Sequence, residues 1–196
     1  MPNAFVFDPA VHGDDRGVFL ESFRAESLEQ ATGRAFDLRQ ANVSVSRRGV
    51  VRGIHFADVP RGQAKYVQAV HGAVLDFVID IRVGSPTFGE WDSVLLDTVD
   101  HRSIYLGEGL GHAFVALTDD ATVSYLVSDT YNAPREHGIN PTDPDINLIF
   151  PDSAGELLLS PKDTDAPGLH EAAELGLLPQ FTDVRAFYAS LDTRGA

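Results

Sequence analysis

Short runs in which apolar and polar residues alternate make up most of this 196-residue chain. The clearest run covers residues 73–81, where Leu75, Phe77, Ile79 and Ile81 form a continuous apolar face. A period of two residues is that of a β-strand. Comparable runs predict strands at residues 18–23, 66–70, 93–96, 103–106, 113–117 and 121–127. Glycine and proline separate these runs, so the sequence predicts a sandwich or a barrel of short strands.

Helical periodicity is scarce and is confined to three short segments, residues 25–32, 169–175 and 183–191. Gly33 is expected to end the first helix, and Asp183 is a candidate N-cap for the last. About ten strands followed by terminal helices fit a mainly β, double-sheet jelly roll. We expect a single domain that covers residues 1–196.

The composition is that of an ordinary globular protein, with 43% hydrophobic and 22% charged residues. The chain has no cysteine, which excludes disulfides and thiolate metal sites. The N-terminus shows no signal-peptide pattern, and no apolar stretch approaches the roughly 20 residues that cross a bilayer. These features predict a cytoplasmic protein that does not enter membranes.

The formal net charge of −14 disfavours nonspecific binding to nucleic acids and to anionic membranes. An anionic small molecule remains a candidate ligand, because a local cluster of arginines can reverse the field within a pocket.

The strongest candidates for catalytic residues are His55 and Lys65, which are ten residues apart. The pattern predicts that they lie on adjacent strands. Only two of the 15 basic residues are lysines, so a lysine beside this histidine stands out. A lone histidine is most often a hydrogen-bonded core residue. It can also act as a general base near neutral pH, and Asp163 is a candidate to orient its ring.

Two tyrosines and two arginines add to the candidate site. Tyr125 and Tyr131 either pack on a sheet or return a proton from the face opposite the base. Arg16 and Arg52 are either solvated turn residues or planar donors for a diphosphate.

Metal and nucleotide motifs are weak in this chain. No two of the seven histidines have the His-x-His or His-x-x-x-His spacing, so we expect no metal site. The segment 107–112 is rich in glycine but lacks the Gly-x-Gly-x-x-Gly spacing and a strand-to-helix setting. We therefore expect no Rossmann or P-loop nucleotide site.

Several stretches, in this order and spacing, resemble the dTDP-4-dehydrorhamnose 3,5-epimerase family. The matching stretches are residues 15–23, 40–44, 49–56, 63–67, 80–89, 108–114 and 131–139. The resemblance covers nearly the whole chain, from about residue 5 to residue 179. It implies a cupin-like jelly-roll homodimer that acts on a dTDP-4-keto-6-deoxy sugar without a cofactor or a metal ion.

The resemblance also implies roles for individual residues. His55 matches the catalytic base, Asp163 its carboxylate partner, Tyr125 the general acid and Lys65 the group that stabilises the enolate. Arg16, Arg52 and other residues match positions that line the substrate pocket, and donation of Arg16 by the dimer mate is left open. The other pocket positions are Phe19, Glu21, Gln40, Asn42, His112, Tyr131, Glu136 and Lys162.

The expected reaction inverts carbon 3, carbon 5 or both in deoxysugar biosynthesis, including that of antibiotics, and the residues do not decide between the centres. The chain departs from the family in having Phe150-Pro151 where Trp-Pro is frequent and Ala113 where glycine is frequent. Both departures leave room for an altered pocket shape. The alternatives are a noncatalytic sugar-nucleotide-binding module, a ketoisomerase and a metal-dependent cupin enzyme.

Overall fold

The computed structural model describes residues 1–192. It contains two five-stranded antiparallel sheets and one separate two-stranded hairpin. Residues 193–196 of the expected domain lie outside the described part. The strands are β1 Ala4–Phe7, β2 Val11–Asp14, β3 Gly17–Leu20, β4 Gln40–Ser46, β5 Val51–Ala57, β6 Lys65–His71, β7 Ala73–Ile79, β8 Trp91–Asp97, β9 Ser103–Leu106, β10 Gly111–Ala116, β11 Ala121–Val127 and β12 Glu136–Gly138. The helices are α1 Ala25–Thr32, α2 Pro161–Thr164, α3 Leu169–Glu174 and α4 Phe181–Asp192.

Sheet I has the strand order β1-β9-β6-β11-β4, and sheet II has the order β12-β5-β10-β7-β8. Strands β2 and β3 pair only with each other. The expected mainly β, double-sheet jelly roll with short C-terminal helices is confirmed. The strands at 103–106 and 121–127 and the helix at 25–32 have the predicted bounds, and Gly33 ends that helix in a left-handed conformation at φ 75°.

The hydrophobic core has three parts, because each sheet is covered on both faces. One cluster fills the gap between the sheets and includes Val67, Val78, Phe114 and Val123. A second lies between the outer face of sheet II and the C-terminal segment. A third packs α1 and the N-terminal segment on the outer face of sheet I. The apolar face predicted for residues 73–81 is therefore the outer face of sheet II, while the alternate residues face the gap.

Three local predictions were wrong. The strand expected at 18–23 ends at Leu20. Asp183 is not an N-cap, because α4 begins at Phe181 and Asp183 lies in its first turn. The strands of His55 and Lys65 are consecutive but not adjacent, since β5 belongs to sheet II and β6 to sheet I. Residues 58–64 cross from one sheet to the other instead of forming a tight hairpin.

Among the helices of residues 1–192, none combines the length and the apolar character that crossing a bilayer requires.

Candidate functional site

A bulge in β5 turns two polar side chains toward the gap between the sheets. His55 lies opposite His112 of β10, and Arg52 lies opposite Phe114, so β5 carries one residue more than β10 in this interval. Without that bulge, residues 52 and 55 would face opposite sides of the sheet. Gly53 permits the close approach, since a Cβ there would lie 2.5 Å from the backbone oxygen of His112.

The ring of His55 is held by a buried carboxylate from the C-terminal segment. Its Nε2 lies 2.6 Å from Oδ1 of Asp163, which is only 5% exposed. Oδ2 of Asp163 accepts a hydrogen bond of 2.8 Å from Ser160, the N-cap residue of α2. Burial raises the pKa of Asp163, but the hydrogen bonds from His55 and Ser160 outweigh it and bring the pKa below its usual value. An ionised Asp163 keeps the proton on Nε2 and leaves the other ring nitrogen with a free lone pair.

Lys65 approaches His55 from the opposite sheet. Its Nζ lies 3.5 Å from the backbone oxygen of His55, and its side chain is buried. Burial lowers the pKa of Lys65 to about 8, against the opposing effect of the negative charges of Glu136 and Asp76. The site therefore contains an ammonium group in a dry environment, where a charge interacts more strongly than in water.

Tyr125 lies beside Lys65 on the same face of sheet I. Lys65 pairs with Val127 of β11, two residues beyond Tyr125, and side chains two residues apart in a strand share a face. Burial raises the pKa of Tyr125, Arg52 opposes the rise, and Glu136 adds to it. Tyr125 consequently holds its phenolic proton at neutral pH and can donate it.

A second buried histidine–carboxylate pair lies next to His55. Nε2 of His112 is 2.8 Å from Oδ2 of Asp76, and Asp76 is fully buried. Oδ1 of Asp76 has no hydrogen-bond partner among the described residues. Glu136 lies on the edge strand β12, two residues before Gly138, the strand partner of His55. Since side chains two residues apart share a face, Glu136 faces the same gap between the sheets as His55.

Sequence reasoning missed Asp76 and Ser160 as parts of the site. A charged residue at an interior position of the apolar strand 73–81 was the available signal for Asp76, because unpaired buried carboxylates are rare. The signal for Ser160 was the helix-start pattern of residues 160–163, which has an N-cap serine, a proline in the first turn and an acidic residue three positions after the serine.

The edge of sheet I adds amide groups to the site. Asn42 of β4 lies opposite Tyr125 and accepts a hydrogen bond of 2.7 Å from Nε2 of Gln40. Oε1 of Gln40 accepts a hydrogen bond of 3.1 Å from the backbone of Tyr131, whose side chain is exposed. Lys162 is exposed on α2, next to Asp163 in the chain.

The structure does not bring Arg16, Phe19 and Glu21 to His55 within one chain. Arg16, in the β2–β3 turn, is exposed and pairs with Asp14. Phe19 and Glu21 line a separate cavity of about 500 Å³ on the outer face of sheet I, to which the largely buried Tyr66 also contributes. The hairpin that carries these residues projects from both sheets, which explains the separation.

The two departures from the family pattern lie behind sheet II. The ring of Phe150 packs 5.5 Å from that of Phe77, and Ala113 is the strand partner of Phe77 on the same face. Both side chains belong to the cluster on the outer face of the sheet. The structure thus places them away from the gap that holds His55 and Lys65.

Among residues 1–192, no three His, Cys, Asp or Glu side chains are grouped so that they could hold a metal ion. The histidines of the site are instead occupied by single carboxylates, Asp163 and Asp76.

Comparisons with known proteins give a consistent result. The family model for dTDP-4-dehydrorhamnose 3,5-epimerase matches residues 1–171. The dTDP-4-dehydrorhamnose 3,5-epimerase of Mycolicibacterium smegmatis is 54% identical over 97% of this chain and 94% of its own length. Structures show the same likeness. ChmJ, a 3'-monoepimerase from Streptomyces bikiniensis in complex with dTDP-quinovose, superimposes with a TM-score of 0.93 at 48% identity, over 96% of this chain and 95% of that one.

NovW, a 4-keto-6-deoxy sugar epimerase from the novobiocin gene cluster of Streptomyces spheroides, gives a TM-score of 0.90 at 50% identity. That match covers 93% of this chain and 91% of NovW.

Proposed function

Because the chain belongs to the dTDP-4-dehydrorhamnose 3,5-epimerase family of isomerases, we propose that it epimerises a dTDP-4-keto-6-deoxyhexose in deoxysugar biosynthesis. The observation that carries the proposal is the position of His55 on sheet II, bonded to Asp163 of α2 and facing Lys65 and Tyr125 on sheet I. A base and an acid on opposite walls can remove a proton from one face of a carbon and return one to the other.

The proposed reaction begins at a carbon next to the ketone. His55 takes the proton, the C–H electron pair forms the enolate, and negative charge develops on the carbonyl oxygen. The ionised Asp163 stabilises the imidazolium that results, and the ammonium of Lys65 stabilises the enolate oxygen. Tyr125 then gives its proton to the opposite face of the carbon, which inverts the centre and restores the ketone.

This chemistry proceeds without a redox cofactor, since the sugar has the same oxidation state before and after. The ketone itself accepts the electron pair of the broken C–H bond. The same steps act at carbon 3 and at carbon 5, because both carbons are adjacent to the carbonyl group.

The remaining pocket residues are proposed to hold the sugar nucleotide. Arg52 offers a planar donor group for a diphosphate oxygen, and its Nε donates to Ser46 at 3.0 Å. The other proposed contacts come from both sheets and from the C-terminal segment: Gln40, Asn42, His112, Tyr131, Glu136 and Lys162.

We propose that the enzyme is a homodimer in which the β2–β3 hairpin completes the site of the other subunit. The hairpin carries Arg16, and Glu21 directly follows it. It exposes 60% of Val18 and 69% of Phe19, so residues 1–192 leave most of these two apolar side chains uncovered. The edge strand β4 of sheet I also exposes Val43 and Val45. An isologous contact between two copies would bury these surfaces together.

A subunit-mixing experiment tests the dimer. Arg16→Ala and His55→Ala subunits are each expected to be nearly inactive alone. When the two are co-expressed, half of the dimers are mixed and each contains one intact site, so about a quarter of the wild-type activity should return. If the mixture stayed inactive, Arg16 would not contribute to the site of the other subunit.

The reaction itself is tested by proton NMR of dTDP-4-keto-6-deoxyglucose incubated with the protein in deuterated water. Entry of deuterium at carbon 3, carbon 5 or both is expected, and the product signals identify the inverted centre. Binding without exchange would favour a noncatalytic module. A product with a displaced carbonyl group would favour a ketoisomerase.

Tyr125→Phe is expected to lower the rate of inversion about 100-fold, because a positioned general acid contributes 10²–10⁴-fold. The rate of proton abstraction should fall much less, since His55 is retained. This rate is measured as the release of tritium from a substrate labelled at the reacting carbon. Inversion at the wild-type rate would mean that another acid reprotonates the sugar.

A further inference from the structure

The C-terminal helix α4 packs on the turn that joins β9 to β10, residues 107–110. A Cβ at Gly107 would lie 2.5 Å from the hydroxyl of Tyr188, and one at Gly109 would lie 2.7 Å from a methyl group of Val184. The two glycines therefore leave the space that the helix occupies. Helix α4 itself lies beyond residues 1–171, the stretch that the family model matches.

Tyr188 is held in place on this turn from two sides. Its hydroxyl donates to the backbone oxygen of Glu108 at 3.3 Å, and the guanidinium carbon of Arg34 lies 3.6 Å from the centre of its ring. The hydroxyl is the polar tip of a largely buried side chain, and burial raises its pKa. The contact fixes helix α4 to the backbone of the turn.

Glu108 carries this contact onward to the strand that begins with Lys65. The buried carboxyl of Glu108 accepts a hydrogen bond of 3.3 Å from Ser128. The hydroxyl of Ser128 also accepts a hydrogen bond of 2.8 Å from the backbone N–H of Ala64. The backbone N–H of Ser128 in turn donates to the backbone oxygen of Ala64 at 3.1 Å. This series of hydrogen bonds ends at the backbone of Ala64, the residue directly before Lys65.

A second route connects the turn with the same lysine. Leu106, the last residue before the turn, is the strand partner of Lys65 on one side, and Val127, just before Ser128, is its partner on the other. Both strands that flank Lys65 are thus anchored at the point where helix α4 contacts the protein.

We propose that Tyr188 and Glu108 are positioning residues that hold Lys65 in its buried place beside His55. The inference rests on the proposed role of Lys65 in stabilising the enolate. A lysine side chain has four rotatable bonds, and its burial persists only where the strand and its neighbours exclude water. Loosening the turn lets water reach Nζ and lets the ammonium leave the position of the enolate oxygen.

The first test changes a single atom. Tyr188→Phe keeps the ring under Arg34 but removes the hydroxyl, and kcat is expected to fall about five-fold with little change in KM, as for the loss of one hydrogen bond. Tyr188→Ala, which also removes the ring, should lower kcat further. Arg185→Ala is the matched control, because Arg185 is exposed on the same helix and should leave kcat unchanged.

The second test reads Lys65 directly and needs no turnover. The chain contains two lysines, so protein labelled with 13C at the lysine ε-carbons shows two signals, and Lys162→Arg assigns them. In the wild type the Lys65 signal is expected to titrate at about pH 8. In Tyr188→Ala it should titrate at higher pH, toward the ordinary value of 10.5, because water relieves the burial.

The two readouts separate positioning from simple stability. If helix α4 only stabilised the fold, Tyr188→Ala would lower the melting temperature but would leave the Lys65 titration and kcat unchanged well below that temperature. This outcome would overturn the proposal. If the wild type showed no exchange, the proposed function would fail. The titration would still decide the positioning role: an unchanged Lys65 pKa in Tyr188→Ala overturns it, and a raised one supports it.

Discussion

Replacement of His55 by alanine is expected to slow deuterium exchange at the sugar carbons about 10³-fold, while the nucleotide still binds. The imidazole of His55 is hydrogen-bonded through Nε2 to the ionised carboxylate of Asp163, and its other ring nitrogen carries the lone pair that takes the proton. The diphosphate contacts proposed for Arg52 do not involve this ring. Exchange is measured by proton NMR in deuterated water, and binding of dTDP by calorimetry.

Two variants control this experiment. His71→Ala removes an exposed histidine from the far end of β6 and should leave exchange at the wild-type rate. Asp163→Asn keeps the shape of the partner but removes its charge, so it should slow exchange without abolishing it. Wild-type exchange in His55→Ala would show that another group removes the proton.

Replacement of Lys65 by methionine is expected to lower kcat by about 10²–10³-fold, the cost of removing one group that stabilises an oxyanion. Methionine nearly fills the same volume but lacks both the charge and the N–H donors of the ammonium group. The buried Asp76 and the half-buried Glu136 lose their cationic neighbour in this variant, so its melting temperature must be measured alongside the rate. A folded variant with normal kcat would remove Lys65 from the mechanism.

The titration of Lys65 predicts the alkaline side of the pH profile. Burial lowers its pKa to about 8, and the charged form is the one that stabilises an enolate. The charged fraction falls as the pH rises through this value, so kcat/KM of the wild type should decline above about pH 8. Glu136 and Asp76 face the same ammonium and keep the pKa from falling further. The decline should be absent in Lys65→Met, and its persistence there would assign it to another group.

Local patterns along the chain were sufficient for most strands. The alternation over residues 103–106 and 121–127 gave the bounds of β9 and β11, because each strand is paired on both sides and has turns at its ends. The edge strand β4 and the hairpin strand β2 were not predicted. In β4, Val43 and Val45 alternate with serines, so the two-residue period was present in the sequence and was missed. Strand β2 has a single apolar residue, Val11, and gives no alternating pattern.

The site depended on contacts that no local pattern encodes. His55 and Asp163 are 108 residues apart, so the sequence offered Asp163 as a candidate partner for the ring but could not place it near His55. The spacing of His55 and Lys65 suggested adjacent strands, but the intervening residues 58–64 carry the chain to the other sheet. Asp76 lies on the face of β7 opposite the predicted apolar face, and its pairing with His112 follows from the register between β7 and β10.

His55 and Lys65 lie on different sheets, so the distance between them is determined by how the core side chains between the sheets pack. No backbone hydrogen bond joins β5 to β6, so the width of the gap between them depends on side chains such as Val67, Val78 and Val123. Facing sheets are about 10 Å apart, and the loss of a methyl group in such a core changes the fit of its neighbours. Valine-to-alanine or valine-to-isoleucine changes there are a means of adjusting which sugar carbon lies within reach of His55, with every reacting group left in place.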